Sequence, residues 1–229
     1  MQLDPPTGEF GGIACRQLAE AGWTTVKSSS RDEAALETEL LALAHQLGDL
    51  VPGRHGKLVE RLSPTHESAA QPRSLSARWG LGTQPWHTDL AHRPDPSLYV
   101  LLACLDPGAS AVATELCDAR SLLSESQLGM AVSEPFLVRS GRHPFYATVI
   151  ESGGLRFRFD VGCMTATTSS GRALAEHIAF AKPTETTPIH WTAGLVLIIA
   201  NWRMMHRRQA AHDAQGRMLL RVCATGDRE

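Results

Sequence analysis

Short apolar runs constrain this chain more than any other feature. LYVLLACL at 98–105, GLVLIIANW at 194–202 and RMLLRVCAT at 217–225 are each bounded by Pro, Gly, Asp or a charged residue. A continuous apolar run of that length suits a strand covered on both faces. LRFRFDV at 155–161 instead alternates apolar and charged residues with period 2, the pattern of a strand with one wet face. FLVRS (136–140) and FYATVI (145–150) are shorter segments of the same kind. Many short strands separated by turns predict a mostly β chain with flanking helices, arranged as a sandwich or jelly roll.

Two helices are expected around that core. In SSSRDEAALETELLALAHQLGDLV, Ser30 and Glu33 have capping-box spacing, and Leu36, Leu40, Leu43 and Leu47 form one stripe. Gly48 sits where a left-handed cap would end the helix, so the spacing predicts a helix over 31–47. GRALAEHIAFA (171–181), before Pro183, is the second. Residues 50–73, rich in Pro, Gly, Arg and Ser, read as an irregular connection. The length of 229 residues fits one domain over 1–229, with an N-terminal helical layer at about 1–60 and a β core at about 74–225.

Composition narrows the partners. A net charge of -2 offers no electrostatic basis for nucleic acid or an anionic membrane. No apolar stretch approaches the roughly 18 residues of a membrane span, and MQLDPPTGEF lacks the pattern of a signal peptide. The expectation is a cytoplasmic protein. Five scattered cysteines without a C-x-x-C read as buried, reduced thiols.

Chemistry is concentrated in QPWHTDLAH, residues 84–92. On an extended segment, residues i and i+2 share a face, so His87 and Asp89 present an imidazole and a carboxylate together. A third ligand from another strand completes a facial triad that leaves open positions on the metal. His206, in NWRMMHRRQAAH after the buried run 194–202, is the candidate. His92 and His212 are rivals, but both fall in loop or turn sequence, and His190 at a strand entry reads as structural. An H-E-x-x-H zinc motif is absent.

WHTD, then Thr114 at 27 positions after His87, then NWRMMH with Arg217 and Arg221 at 11 and 15 positions after His206, resembles the taurine dioxygenase family of iron(II)/2-oxoglutarate-dependent oxygenases. The resemblance covers roughly 74–223, including the strand, Gly-containing turn and threonine of PSLYVLLACLDPGASAVATELCDA. It implies a double-stranded β-helix with Fe(II) held by His87, Asp89 and His206. It further implies that 2-oxoglutarate chelates the iron, with Arg217 on its distal carboxylate and Thr114 supplying a hydroxyl. A planar, permanently charged guanidinium suits that task. Arg221 is expected to assist the cosubstrate or to bind an anionic group of the substrate. The implied reaction uses O2, converts 2-oxoglutarate to succinate and CO2, and hydroxylates an unactivated C–H of a small molecule such as an amino acid or a natural-product intermediate. An intact Asp89, in place of Gly or Ala, points to hydroxylation over halogenation.

The chain departs from the family pattern at Arg207 and Arg208, where glycine commonly follows the histidine, at Ala200, and in GASAVAT. Trp86, Arg158, Asp160 and Arg221 are candidate substrate contacts, with core packing the competing role for Trp86 and simple solvation that for Arg158 and Asp160. SLSARWGLGTQ (74–84) is a candidate pocket wall. Two rival readings share the ligand set: a non-catalytic cupin-like protein, and a metal-dependent hydrolase or isomerase. Neither needs an arginine for a distal carboxylate.

Overall fold

The structure is a computed structural model that describes residues 12–30, 32–53, 56–72, 74–109, 112–139, 141, 143–213 and 216–226. In chain order its elements begin with α1 (Gly12–Ala21), β1 (Trp23–Lys27), α2 (Glu33–His45), β2 (Glu60–Leu62), the short α3 (Ser76–Trp79), β3 (Tyr99–Asp106) and β4 (Thr114–Asp118). They continue with α4 (Glu125–Ser133), β5 (Phe136–Val138), β6 (Phe145–Ala147), β7 (Ile150–Glu151), β8 (Arg156–Phe157), β9 (Met164–Ala166) and α5 (Ser169–Phe180). β10 (Thr187–Ile189), β11 (Leu195–Ala200), β12 (Met204–Arg208) and β13 (Met218–Ala224) close the chain.

The apolar runs become the centre of a five-stranded antiparallel sheet in the order β1-β11-β3-β13-β2. Both of its faces are covered, which explains why those strands are apolar without alternation. On one face Leu101, Ala103, Ile198, Leu220 and Val222 pack against Leu18 of α1 and Leu36, Leu40 and Ala44 of α2. On the other, Val100, Leu102, Leu197, Ile199 and Leu219 meet Leu116 of β4, Ile189 of β10 and Met204 of β12. Those last three strands form a second antiparallel sheet, β10-β4-β12. The two sheets thus share one core, in the mostly β, jelly-roll arrangement expected. Burying each such side chain contributes roughly 1.5–3 kcal/mol. A third core gathers α4, α5 and β5–β9 around Phe136, Phe159 and Trp86.

Several expectations change in detail. The first long helix is capped by Asp32, whose carboxylate accepts from Ala35 N at 3.1 Å, so the Ser30/Glu33 box does not form. The structure's capping box is at Ser124 and Gln127. Gly48 does adopt a positive φ of 138° but follows a C-cap at Gln46; a Cβ there would collide with the backbone of Gly226. β1 lay unrecognised in WTTVK, so the N-terminal layer supplies a sheet strand as well as helices. Residues 155–161 form only the two-residue β8. The 50–73 connection contains β2. All five cysteines are free thiols, four of them buried, with Cys163 half-buried.

Candidate metal centre

His87 lies on an extended segment that never becomes a regular strand. It forms an isolated antiparallel bridge to His206 on β12. His87 N donates to His206 O at 3.1 Å and His206 N donates to His87 O at 3.0 Å. The two residues are a hydrogen-bonded cross-strand pair, which brings their imidazoles to a centroid separation of 4.4 Å. Asp89 joins them two residues on, its Oδ2 3.7 Å from His206 Nε2. One donor atom from each of the three falls within 4.8 Å of the others, and all three residues are buried.

Asp89 is held from both ends. Asn201, immediately after β11, accepts from Asp89 N at 2.8 Å and donates to Asp89 O at 3.0 Å and Ser97 O at 2.9 Å. Leu90 then takes a left-handed φ of 55°, turning the chain away after the carboxylate. Arg221 Nη1 donates to Asp89 Oδ1 at 2.6 Å, leaving Oδ2 toward the histidines. Asn201 was not singled out from sequence, although NWRMMH was quoted for its histidine. An amide directly after a buried strand was the available signal.

The protonation states suit a metal cation. Burial raises the Asp89 carboxyl, but the charges of Arg221, His206 and His87 overcome this and hold it at about 2. Burial, then His87, push His206 down to about 3, so its imidazole is neutral at physiological pH. His87 Nδ1 lies 3.0 Å from Pro85 O. That carbonyl selects the Nδ1–H tautomer and leaves the Nε2 lone pair for a ligand. Two imidazoles and one carboxylate, buried and converging, fit a divalent iron with open coordination positions.

Beside the triad lies a buried cation without a counter-charge. Arg217 is 3% exposed, and its Nη2 donates to Thr114 Oγ1 at 3.3 Å, while its Nε has no partner. Trp191 Nε1 donates to the same Thr114 oxygen at 3.1 Å. Burial and the nearby Arg208 push Arg217 down to about 10, still protonated at neutral pH. Among the described residues no carboxylate pairs with Arg217. A buried charge of this kind is costly unless something neutralises it.

The other candidates separate. Arg221 is used up by Asp89 and by Glu60, its Nη2 donating to Glu60 Oε2 at 2.6 Å, so it does not serve the cosubstrate as expected. Arg158 is 1% exposed. Its guanidinium pairs with Glu151 at 2.8 Å and donates to the carbonyls of Ala91, Arg93 and Pro94. It fastens the segment after Asp89 and has no donor left for a substrate, correcting that expectation. Trp86 is wholly buried, donates through Nε1 to Ala181 O at 3.0 Å, and carries Arg207 at 4.3 Å over its ring. It is a packing residue, not a pocket wall. Asp160 remains. Phe159 exchanges bonds with Thr88, accepting from Thr88 N at 2.8 Å and donating to Thr88 Oγ1 at 3.0 Å. Asp160 therefore follows the residue paired between the two N-terminal ligands. It is half-buried, and its Oδ1 accepts from Gly162 N at 2.6 Å.

The departures from the family pattern have roles. Arg207 pairs with Glu115 at 2.6 Å. Arg208 donates to the carbonyls of Gly80, Leu81 and Gly82, tying down the end of the 74–84 segment. His212 and His190 are exposed and His92 is half-buried in the turn after Asp89; none joins the triad. His190 was expected to be structural, and its exposure corrects that.

Comparison with known sequences adds a family. The model described as taurine catabolism dioxygenase TauD, TfdA family matches residues 139–223. Over that span the chain is similar to that family. The matched span carries His206, Arg217 and Arg221, while His87, Asp89 and Thr114 precede it and reach the site through the fold. No curated protein matches the chain by sequence. Among solved structures, asparagine oxygenase in complex with Fe(II), 2S,3S-3-hydroxyasparagine and succinate is 15% identical, covering 93% of this chain and 78% of that chain at a TM-score of 0.71. The non-heme iron oxygenase OrfP with Fe, succinate and (3S)-hydroxy-L-Arg is 19% identical, covering 93% and 80% at 0.68. OrfP with Fe and alpha-ketoglutaric acid is 22% identical, covering 93% and 78% at 0.67. These likenesses establish the fold of the chain.

Proposed function

We propose that this chain is a 2-oxoglutarate-dependent dioxygenase of the TauD/TfdA type that hydroxylates an unactivated C–H of an amino acid or similar small molecule. His87, Asp89 and His206 hold Fe(II). Arg217, with Thr114, holds the distal carboxylate of 2-oxoglutarate. Bound together, Fe(II), 2-oxoglutarate and O2 supply the oxidising power, with succinate and CO2 released. The chain's own part is to fix the ligand geometry, neutralise the cosubstrate and keep water from the reacting centre.

The observation that carries this reading is Arg217. A metal triad alone serves many chemistries, and hydrolysis or isomerisation has no use for a buried, uncompensated arginine beside it. A dianionic cosubstrate does. The fold neighbours support the substrate class, since OrfP and asparagine oxygenase were crystallised with hydroxylated amino acids. Asp160, half-buried next to the ligand segment, is the residue we assign to a substrate ammonium or amide. Free thiols fit a cytoplasmic setting, and no helix among the described residues is long and apolar enough to cross a membrane.

The test is anaerobic addition of Fe(II) and 2-oxoglutarate, which should give a visible metal-to-ligand charge-transfer band. His87→Ala should abolish it, and an amino-acid panel should then reveal succinate release. A band that survives His87→Ala overturns the metal assignment.

A further inference from the structure

Arg221 and Glu60 are direct partners in the pairing of β13 with β2. Leu219, Arg221 and Cys223 alternate along β13 toward the core shared by the two sheets, so Arg221 points inward, and Leu62 of β2 packs on that same core. The guanidinium is thereby divided. One terminal nitrogen is 2.6 Å from Asp89 Oδ1 and the other 2.6 Å from Glu60 Oε2. Its Nε is buried without a partner. The side chains of Arg221 and Glu60 are 17% and 15% exposed, at the edge of the metal site. Gly53 completes the arrangement, because a Cβ there would strike the Glu60 carboxylate.

An inward carboxylate on an edge strand has a plain use, since it discourages pairing with another chain. That use needs no contact with the metal centre. Here the carboxylate occupies the guanidinium nitrogen that Asp89 leaves open to a substrate's acidic group, and it adds negative charge beside Asp89. One cation faces two carboxylates.

We infer that Glu60 is a specificity-determining residue: it stands in for a substrate's acidic group on Arg221, so the enzyme rejects substrates that present a sulfonate or carboxylate at this position and accepts those that present a neutral or cationic group. The inference rests on the proposed oxygenase activity and specifies the substrate class of that site. Removing the charge while keeping the shape converts the pair into an anion subsite. Like charges brought together across a binding surface are a strong discriminator between partners.

The experiment titrates ethanesulfonate into the anaerobic Fe(II)·2-oxoglutarate complex, following the charge-transfer band and the heat of binding. Wild type should show no saturable response. Glu60→Gln, which keeps an acceptor for Arg221, should bind the sulfonate at least about tenfold more tightly than wild type. Gly53→Ala, whose added methyl displaces the Glu60 carboxylate, should move in the same direction and serves where Glu60→Gln folds poorly. Saturable sulfonate binding by wild type overturns the inference, as does indifference in a variant that still forms the band. If wild type forms no band at all, the oxygenase reading itself has failed, which is a separate result.

Discussion

His87 and His206 are each other's backbone partners, exchanging two hydrogen bonds of 3.1 and 3.0 Å across the site. Two residues far apart in sequence are therefore aligned by main chain. Replacing a side chain leaves that bridge intact. His87→Ala should lose iron binding by at least about a hundredfold while the denaturation midpoint of the metal-free protein moves little. Titration with Fe(II), alongside urea unfolding monitored by circular dichroism, distinguishes the two effects. A collapse of stability would show that the ring, not the bridge, organises this region.

Asn201 grips the backbone of Asp89 with its whole amide. Asn201→Asp replaces a donor by an acceptor facing two carbonyls, and Asn201→Ala leaves those groups buried and unpaired, each at a cost of about 1–3 kcal/mol. Fe(II) affinity should fall roughly 10- to 100-fold, the range expected when support behind a metal ligand is lost. Unchanged affinity in Asn201→Ala would mean that Arg221 alone aims the carboxylate.

Thr114 Oγ1 accepts from both Trp191 and Arg217. With its lone pairs engaged, the hydroxyl has only its proton to offer, so it faces the cosubstrate as a donor. Trp191→Phe keeps the ring and removes the N–H. The KM for 2-oxoglutarate should rise several-fold while Fe(II) affinity holds. Thr114→Val should raise it about tenfold, in line with a hydrogen bond to a charged group. The double variant should be little worse than Thr114→Val, because both act on one hydroxyl.

Arg158 is the opposite case, a buried cation already satisfied by Glu151 and three carbonyls. Arg158→Ala leaves Glu151 to Arg156 alone, 2.9 Å away, and removes the donor to three carbonyls, at a cost of about 1–3 kcal/mol for each that stays unpaired. In whatever protein folds, the KM for substrate should be little changed. A rise in substrate KM without a loss of stability would return Arg158 to the substrate.

Acid should loosen the metal-free protein. His206 titrates at about 3 in the folded chain against its ordinary 6.5, and Asp89 at about 2 against 3.8. Both folded values lie below the unfolded ones, so the unfolded state takes up protons first on acidification. Stability is complete above about pH 6.5 and declines below it, through His206 first and then Asp89, by the order of a few kcal/mol at pH 4. Denaturant midpoints of chelator-treated protein between pH 7 and 4 measure this. A flat profile contradicts a neutral, buried His206.

The sheet's central strands were legible because burial on both faces leaves unbroken apolar runs, as in 98–105 and 194–202. β1 was missed because WTTVK mixes polar and apolar residues on a sheet edge. The ligand spacing survived in sequence because metal geometry tolerates few alternatives. Arg158 and Arg221 were misassigned for one shared reason. Sequence shows that a charge is near the site, but its partners, Glu151 and Glu60, come from segments whose approach only the fold reveals.

Cys104 and Cys223 lie in the core between the two sheets, and Cys117 in the core beside it. Burial pushes these thiols up to about 11, 12 and 12 respectively. The thiolate is the form that oxidants attack, and at neutral pH it is depleted there by about four orders of magnitude or more. A catalyst that handles O2 risks wearing itself out whenever a turnover goes astray. This one keeps the sulfur in its packed interior in the least combustible form that cysteine has.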